Sequence, residues 1–191
     1  MTHPIETESY RILESRVDLT HLPPLSRAVV ARIIHASADL DYAATTVLDE
    51  HALGRGVRAL RRGAPVVTDV HMVGAGITGV GWECFLTTAR AEDGLTRSAA
   101  AMRLAVERHP SGAIFVIGCA PTALFELLRL DADPALVIGL PVGFVGAADS
   151  KRALRQSGLP AVSNVGEKGG SAVASAALNA LVRVASTEER R

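Results

Sequence analysis

Apolar residues recur along this chain in two patterns, one typical of short buried strands and one typical of amphipathic helices. The clearest strand is predicted at residues 113–118, where the sequence Ala-Ile-Phe-Val-Ile-Gly is almost wholly apolar. Similar runs predict further strands at residues 64–69, 83–87, 136–139 and 158–163. Helical spacing predicts helices at residues 10–16, 26–37, 42–50, 51–62, 98–108 and 122–129, and after Ala147 and Ser171.

Short strands that alternate with helices of about 10–15 residues predict right-handed βαβ units and a parallel sheet. The 191 residues suffice for one domain with a sizeable core. Apolar residues make up 48% of the chain and aromatic ones only 4%, which suits aliphatic strands covered on both faces. We therefore expect an α/β fold in which residues 1–191 form a single domain. Its open parallel sheet would be flanked by helices on both faces, as a Rossmann-like three-layer sandwich.

Charge and composition limit the kinds of partner that this protein is expected to bind. Twenty basic residues balance twenty acidic ones, so no overall field favours nucleic acid or an anionic membrane. No apolar run reaches the roughly 18 residues of a membrane span, and the N-terminus has no leader pattern, which predicts a cytoplasmic protein.

Cys84 and Cys119 match no metal-ligand spacing and are interpreted as reduced thiols. The positive mean hydropathy of +0.24 favours a surface covered by a second copy, as in a homodimer.

Glycine-rich loops follow the predicted strands, at residues 69–79, 118–121, 139–146 and 166–171. Ligands of parallel sheets bind beyond the carboxyl ends of the strands, so these loops would gather backbone N–H groups where carboxylates or phosphates bind. The alternative for each loop is that glycine only makes a tight turn. The best cradle for an anion is Gly169-Gly170-Ser171, which opens the last helix.

Three other motifs are candidate binding sites. Arg97, beside a capping Ser98, and Lys151 lie at predicted helix starts, where they could bind anions or be ordinary surface cations. Residues 74–79, Gly-Ala-Gly-Ile-Thr-Gly, spell a dinucleotide fingerprint. Its context is poor because no helix follows it directly.

The candidate catalytic residue is His35, near the end of an amphipathic helix that Ser26 could cap. His35 lies at the border of an apolar stripe that includes Ile33 and Ile34. A partly shielded imidazole in such a place can exchange a proton near neutral pH. The alternative is that His35 packs there with a salt link to Asp39.

Several segments together resemble one family, the precorrin-8X methylmutases, including the cobalt-precorrin-8 methylmutases, over residues 5–181. The segments are Ile5-Glu6, Ser9-Tyr10, Arg32-Ile-Ile-His35-Ala36, Ala64-Pro65 through Asp69 to Met72-Val73, Gly76-Ile77-Thr78, Thr96-Arg97-Ser98-Ala99-Ala100, Ala120-Pro-Thr-Ala-Leu-Phe125, Gly139-Leu-Pro-Val-Gly-Phe-Val145, Ser150-Lys151, Gly169-Gly-Ser171 and Ala177-Leu-Asn-Ala-Leu181. Each segment alone is a weak signal. Their order and joint presence are specific.

The resemblance implies a cofactor-free isomerase of corrin ring biosynthesis that moves a methyl group from C11 to C12 of a tetrapyrrole. The product would be hydrogenobyrinate from precorrin-8X, or cobyrinate from the cobalt form. It also implies a homodimer with the site near the subunit interface, a catalytic role for His35, and substrate contacts at Ser9, Thr78 and Arg97. We further infer that Lys151 and the turn formed by Gly169, Gly170 and Ser171 bind substrate carboxylates.

Three positions depart from the family pattern. Cys119 replaces a usual Asn, His71 stands near an often acidic position, and Glu167-Lys168 replaces an Arg followed by a variable residue. Lys168 could supply the missing positive charge. The alternative functions are a non-catalytic corrinoid-binding protein that hands its ligand to another enzyme of the pathway, and a dinucleotide-dependent oxidoreductase that uses residues 74–79.

Overall fold

A five-stranded sheet lies at the centre of the protein. The computed structural model describes residues 3–90 and 94–188. Its strands stand in the order β1-β5-β4-β3-β2. Strands β2 to β5 are parallel, whereas β1 pairs antiparallel with β5. The sheet is therefore mixed, and the expectation of an all-parallel sheet is wrong at this edge. The strands are β1 Thr46–Leu48, β2 Val66–Thr68, β3 Ile114–Ile117, β4 Leu136–Gly139 and β5 Ala161–Asn164.

Helices cover both faces of the sheet, as the sequence predicts. Within residues 3–90 and 94–188 they are α1 Pro4–Arg16, α2 Pro24–Ser37, α3 Tyr42–Thr45, α4 Glu50–Arg61, α5 His71–Ala75, α6 Arg97–Arg108, α7 Pro121–Arg129, α8 Ala147–Gln156 and α9 Ser171–Glu188. On one face, α6, α7 and α8 pack against Val67, Phe115 and Val137. On the other face, α2, α4 and α9 pack against residues that include Ile114 and Leu136. The three-layer α/β architecture is confirmed.

Residues 42–50 do not form the single predicted helix. They divide into α3 and β1, and Asp49 then caps α4 by accepting a hydrogen bond from the Ala52 amide at 2.8 Å. The β-branched pair Thr46 and Val47 favours an extended backbone, and Thr46 pairs with Asn164 of β5. The predicted strand at residues 83–87 does not form, since in the described part of the chain it pairs with the sheet through a single bridge, between Glu83 and Val67.

Two predicted helix caps are assigned to the wrong residues. Helix α2 begins at Pro24, so Ser26 lies within its first turn, where its hydroxyl donates to Glu50 at 2.7 Å. At α6 the capping side chain is Thr96, which accepts from the Ala99 amide at 3.2 Å, and not Ser98. The predicted cap is three residues late at α2, where the N-cap is Pro23, and two residues late at α6. Local sequence defines a helix terminus weakly.

The loops at the carboxyl ends of the parallel strands meet at one edge. The carboxylate of Asp69, after β2, accepts hydrogen bonds from the amides of Gly118, Cys119 and Ala120, after β3, at 2.7–3.1 Å. The Gly170 amide, before α9, donates to the carbonyl of Leu140, after β4, at 2.9 Å. The clustering predicted from the glycines is therefore confirmed. A search of the described residues for a helix able to cross a membrane finds none.

Candidate active site

His35 lies in the last turn of α2, half-buried at the border of the apolar stripe, as predicted. Its Nδ1 lies 2.8 Å from the hydroxyl of Ser9 on α1. The ring of Tyr10 stacks on the imidazole, with centroids 5.0 Å apart and planes 8° apart. These two contacts fix the plane of the ring and occupy Nδ1. Nε2 is then the nitrogen left for proton exchange with a ligand.

The alternative salt link between His35 and Asp39 is not formed. Asp39 instead pairs with the ammonium of Lys168 at 2.7 Å, and Asp41 pairs with the same ammonium at 2.7 Å. Lys168 holds the pKa of Asp39 below its ordinary value. These ion pairs join the end of α2 to the loop before α9. Two carboxylates therefore already hold Lys168, the residue expected to replace the missing arginine toward a substrate.

Helix α1, which carries Ser9, is held both by apolar packing of Leu13 and Tyr10 against the core and by polar contacts. Of its side chains only Leu13 is buried. Glu6 accepts hydrogen bonds from Arg32 of α2 at 2.6 Å and from Arg183 of α9 at 3.0 Å. Burial raises the pKa of Glu6, but the two arginines outweigh burial and hold it below its ordinary value. The ion pairs therefore fix α1, and with it Ser9, against the other two helices.

A cavity of about 750 Å³ opens beside these residues, between α1, α2, α9 and the turn that follows α5. Tyr10, Arg32, Thr78, Asn179 and Arg183 are among the residues that line it. This volume lies within the range of small-molecule sites in proteins. Tyr10 both lines the cavity and stacks on His35, so Thr78 belongs to the same region as the candidate catalytic residue.

The turn predicted to be an anion cradle, Gly169-Gly170-Ser171, lies at the carboxyl edge of the sheet. Gly169 and Gly170 lead into α9, and a Cβ on Gly169 would overlap the carbonyl of Leu140. The hydroxyl of Ser171 lies 2.8 Å from the Cys119 sulfur, so Cys119 makes a polar contact at this turn. Burial raises the pKa of the Cys119 thiol. The turn is thus formed by glycine backbone, and the contact between the Cys119 thiol and the Ser171 hydroxyl lies at its end.

Lys151 does not take the place predicted for it. It lies in the second turn of α8, on the side that faces the sheet, and is fully buried. Its ammonium donates to Asn164 Oδ1 at 3.0 Å and to the carbonyl of Lys168. Burial lowers its pKa to about 8. Lys151 therefore supports the loop that leads to the cradle, and its ammonium is not placed to contact a carboxylate at the surface.

Three further residues named from the sequence lie in three different elements. Arg97 is the first residue of α6 and is exposed, on the opposite face of the sheet from α2. His71 meets Trp82 edge to face, with centroids 6.0 Å apart. Glu167 is exposed in the loop before α9. The structure thus brings Ser9, His35 and Thr78 to one region, while Arg97 stands at a separate place.

The dinucleotide fingerprint does not form a phosphate-binding turn. Gly74 lies inside α5, packed so closely on Trp82 that a Cβ would overlap the indole ring. No helix begins directly after Gly79. Among the described residues, no group of three or more His, Cys, Asp and Glu side chains is arranged to hold a metal ion.

The sequence analysis includes Tyr10, Glu6 and Asn179 in the family segments but assigns them no role, and these residues orient the others. Tyr10 stacks on His35, Glu6 fixes α1, and Asn179 contacts the turn that carries Thr78. Tyr10 adjoins Ser9 in the sequence, which is the one local signal for its role. Glu6 and Asn179 act on residues distant in the sequence, so nothing local marks them.

Comparison with known proteins assigns the chain to a family. A family model for precorrin-8X methylmutases matches residues 4–184. The cobalt-precorrin-8 methylmutase of Methanocaldococcus jannaschii is 39% identical over 170 residues, which cover 84% of this chain and 80% of that protein. The precorrin-8X methylmutase of a Sinorhizobium species is 38% identical over 196 residues, which cover 94% of this chain and 93% of that protein.

A crystal structure of a precorrin-8X methylmutase from Thermus thermophilus superposes with a TM-score of 0.87 at 37% identity, and covers 96% of both chains. The agreement in sequence and in three-dimensional structure thus extends over nearly the whole chain. This chain belongs to the precorrin-8X methylmutase family, the methyl-migrating isomerases of cobalamin biosynthesis.

Proposed function

We propose that this protein moves a methyl group from C11 to C12 of precorrin-8X, or of cobalt-precorrin-8, and that His35 exchanges a proton with the macrocycle during the shift. The observation that carries the proposal is the fixed imidazole of His35, which stacks on Tyr10, a residue that lines a ligand-sized cavity. Ser9 and Tyr10 hold the ring, and Nε2 remains for the substrate.

The proposed chemistry needs one proton and a fixed geometry. Protonation of a ring nitrogen near ring C redistributes the conjugated electrons of the macrocycle, and the methyl group then shifts to the adjacent carbon. Holding the macrocycle in one orientation keeps the migrating group over its destination. His35 takes the proton back as the product forms. A rigid imidazole suits this task because the same atom donates and then accepts.

Substrate binding is proposed to rest on scattered local groups, since the protein has no net charge. Ser9 and Thr78 would contact the macrocycle near His35. Arg97 and the turn of Gly169, Gly170 and Ser171 would bind carboxylate side chains, because a guanidinium and helix N-terminal amides both favour anions. Lys151 would act only indirectly, through the loop that it supports.

A homodimer is part of the proposal. Phe144 and Val145, in the loop between β4 and α8, are each 89% exposed. Val142 in the same loop is 44% exposed. Adjacent apolar side chains this exposed are typical of a surface covered by another chain. In light scattering, the protein should have twice the monomer mass, and Phe144→Asp should shift it toward the monomer.

We propose that the protein works in the cytoplasm. There it could pass its corrin product to another enzyme of the pathway. The two cysteines, Cys84 and Cys119, are unpaired, as is usual for proteins of a reducing compartment.

The proposal is tested by mixing the purified protein with metal-free precorrin-8X and, separately, with cobalt-precorrin-8, and following the visible absorption spectrum. Conversion of either substrate to its corrin product supports the proposal, and the ratio of kcat/KM values identifies the preferred form. The alternative, a non-catalytic binding protein, predicts a spectral shift on binding without conversion of either substrate. That outcome would overturn the proposed isomerase.

A further inference from the structure

Asn179 of α9 holds the turn that follows α5. Its Oδ1 accepts a hydrogen bond from the backbone N–H of Thr78 at 2.9 Å, and its Nδ2 donates to the carbonyl of Gly76 at 2.8 Å. One side-chain amide thus satisfies a backbone donor and a backbone acceptor two residues apart. Asparagine offers a donor and an acceptor together, whereas an ionised aspartate offers acceptors alone. The pair of bonds fixes both the place and the direction of the turn.

Glycines let the turn lie directly on α9. A Cβ on Gly76 would overlap the side chain of Ser175, and Gly79, at φ +80°, would place a Cβ 3.2 Å from Val182 Cγ1. Only a residue without a side chain fits such a close approach or adopts this φ without strain. The glycine motif at residues 74–79 is therefore explained by packing against Trp82 and α9. This packing places the turn beside Asn179, which forms hydrogen bonds to it.

The turn forms one wall of the cavity beside His35. Thr78 and Asn179 line that cavity together with Tyr10, which stacks on the imidazole. Thr78 itself is exposed, so its own side chain does little to hold it in place. The neighbouring Ile77 is buried in the core, and the hydrogen bonds of Asn179 to the Thr78 N–H and the Gly76 carbonyl add the polar contacts that hold the turn.

We propose that Asn179 is a positioning residue for the methylmutase reaction, because it fixes Thr78 in the cavity wall where the macrocycle binds. This inference rests on the proposed function. Thr78 would contact the substrate in the ground state and the transition state alike. Loss of its position should therefore raise KM and leave kcat nearly unchanged. If the substitution only destabilised the fold, a smaller fraction of the protein would be active, and the measured kcat would fall instead.

The first test measures amide hydrogen exchange and needs no substrate. In Asn179→Ala, the amide of Thr78 should exchange at least about 10-fold faster, since its acceptor is lost. Asn179→Asp keeps an acceptor for that amide and should fall between Asn179→Ala and the wild type. Ser186→Ala is the matched control, because it removes a hydroxyl of α9 that donates within the helix, to the carbonyl of Val182. Wild-type exchange at Thr78 in Asn179→Ala would overturn the proposal.

The second test is a double-mutant cycle on kcat/KM. Asn179→Ala and Thr78→Val should each lower kcat/KM by about 5- to 10-fold through KM, as expected for a lost hydrogen bond. The double variant should be no more than about 2-fold worse than Thr78→Val, because Asn179 acts through Thr78. Losses that multiply would overturn the proposal. Should Asn179→Ala fail to fold, Asn179→Leu takes its place in both tests, because leucine also removes both hydrogen bonds.

The two tests separate this inference from the proposed function. If the wild type does not isomerise its substrate, the proposed function fails, and the cycle is measured instead on the dissociation constant for the corrin product. Hydrogen exchange at Thr78 is unaffected by that failure. Coupled losses of affinity would then still support Asn179 as a positioning residue for binding, and independent losses would overturn it.

Discussion

The carboxylate of Glu50 caps the helix that carries His35. Its Oε1 accepts from the Leu25 amide at 2.9 Å, and its Oε2 accepts from the amide and the hydroxyl of Ser26 at 2.9 and 2.7 Å. Pro23, at the N-cap position of α2, has no side-chain cap to offer. Glu50 is also the first residue of α4, so its negative charge lies at two helix N-termini, where the helix dipoles favour it.

Glu50→Ala removes the acceptor of three hydrogen bonds. The loss of a cap costs about 0.5–2 kcal/mol. Ser26 is only 2% exposed, so its hydroxyl would also be left without this acceptor in a place with little water. Leaving such a group unsatisfied costs about 1–3 kcal/mol. Because the two losses overlap, we expect the free energy of unfolding to fall by about 2–3 kcal/mol, and the melting temperature by about 4–12 °C.

Thermal and urea unfolding measure this loss, with Glu8→Ala as the control. Glu8 pairs with Arg11 at 2.7 Å, but both side chains are more than half exposed, so its removal should leave the melting temperature unchanged. Glu50 lies at the far end of α2 from His35, so kcat at a temperature where the variant is folded should equal the wild-type value. An unchanged melting temperature for Glu50→Ala would refute the capping role.

The loss should also depend on pH. Burial raises the pKa of Glu50, but the hydrogen bonds from Ser26 and Leu25 outweigh it and hold the pKa below its ordinary value of 4.5. A lowered pKa in the folded state means that the stabilisation is complete above pH 4.5 and is lost as pH falls through the folded pKa. The gap in stability between the wild type and Glu50→Ala should therefore narrow below pH 4.5. A gap that stays constant down to pH 3 would contradict this account.

Three further substitutions test other contacts. Ser9→Ala should lower kcat by about 2- to 10-fold in steady-state assays, because Tyr10 still holds the His35 ring after one hydrogen bond is lost; an unchanged kcat would argue against orientation by Ser9. Gly76→Ala should lower stability in urea unfolding by about 1–3 kcal/mol, because the added methyl group overlaps α9. Lys168→Met should lower the melting temperature at low salt but not in 1 M salt, since it leaves two aspartates without their counter-charge; a salt-independent loss would contradict this.

The core of the fold could be predicted from sequence because its signals are local. Strand β3 is an unbroken apolar run, and all four of its residues are buried. Strand β1 could not be predicted, because only three residues form it and its pairing with β5 joins segments more than 100 residues apart. Intrinsic preference over so short a stretch is weak, and the tertiary contact decides the outcome.

The residues of the candidate site also differ in whether local sequence identifies them. His35 stands out because the apolar stripe of α2 places it at a boundary, and the resemblance to a family points to Ser9 and Thr78. The burial of Lys151 was not predictable, because a lysine at a helix start suggests a surface and the acceptors that allow its burial come from Asn164 and Lys168. Long-range hydrogen bonds of this kind leave no local trace in the sequence.

The central claim, that His35 exchanges the proton, is tested most directly by comparing turnover and binding in His35→Ala. His51→Ala is the matched control, because His51 is exposed on α4 and lies outside the site. The account predicts that His35→Ala loses at least about 100-fold in kcat, as expected when a proton-transferring group is removed, while its affinity for the corrin product stays within a few-fold of wild type. His51→Ala should match the wild type in both. Wild-type turnover in His35→Ala, or an equal loss of turnover and affinity, would contradict the account.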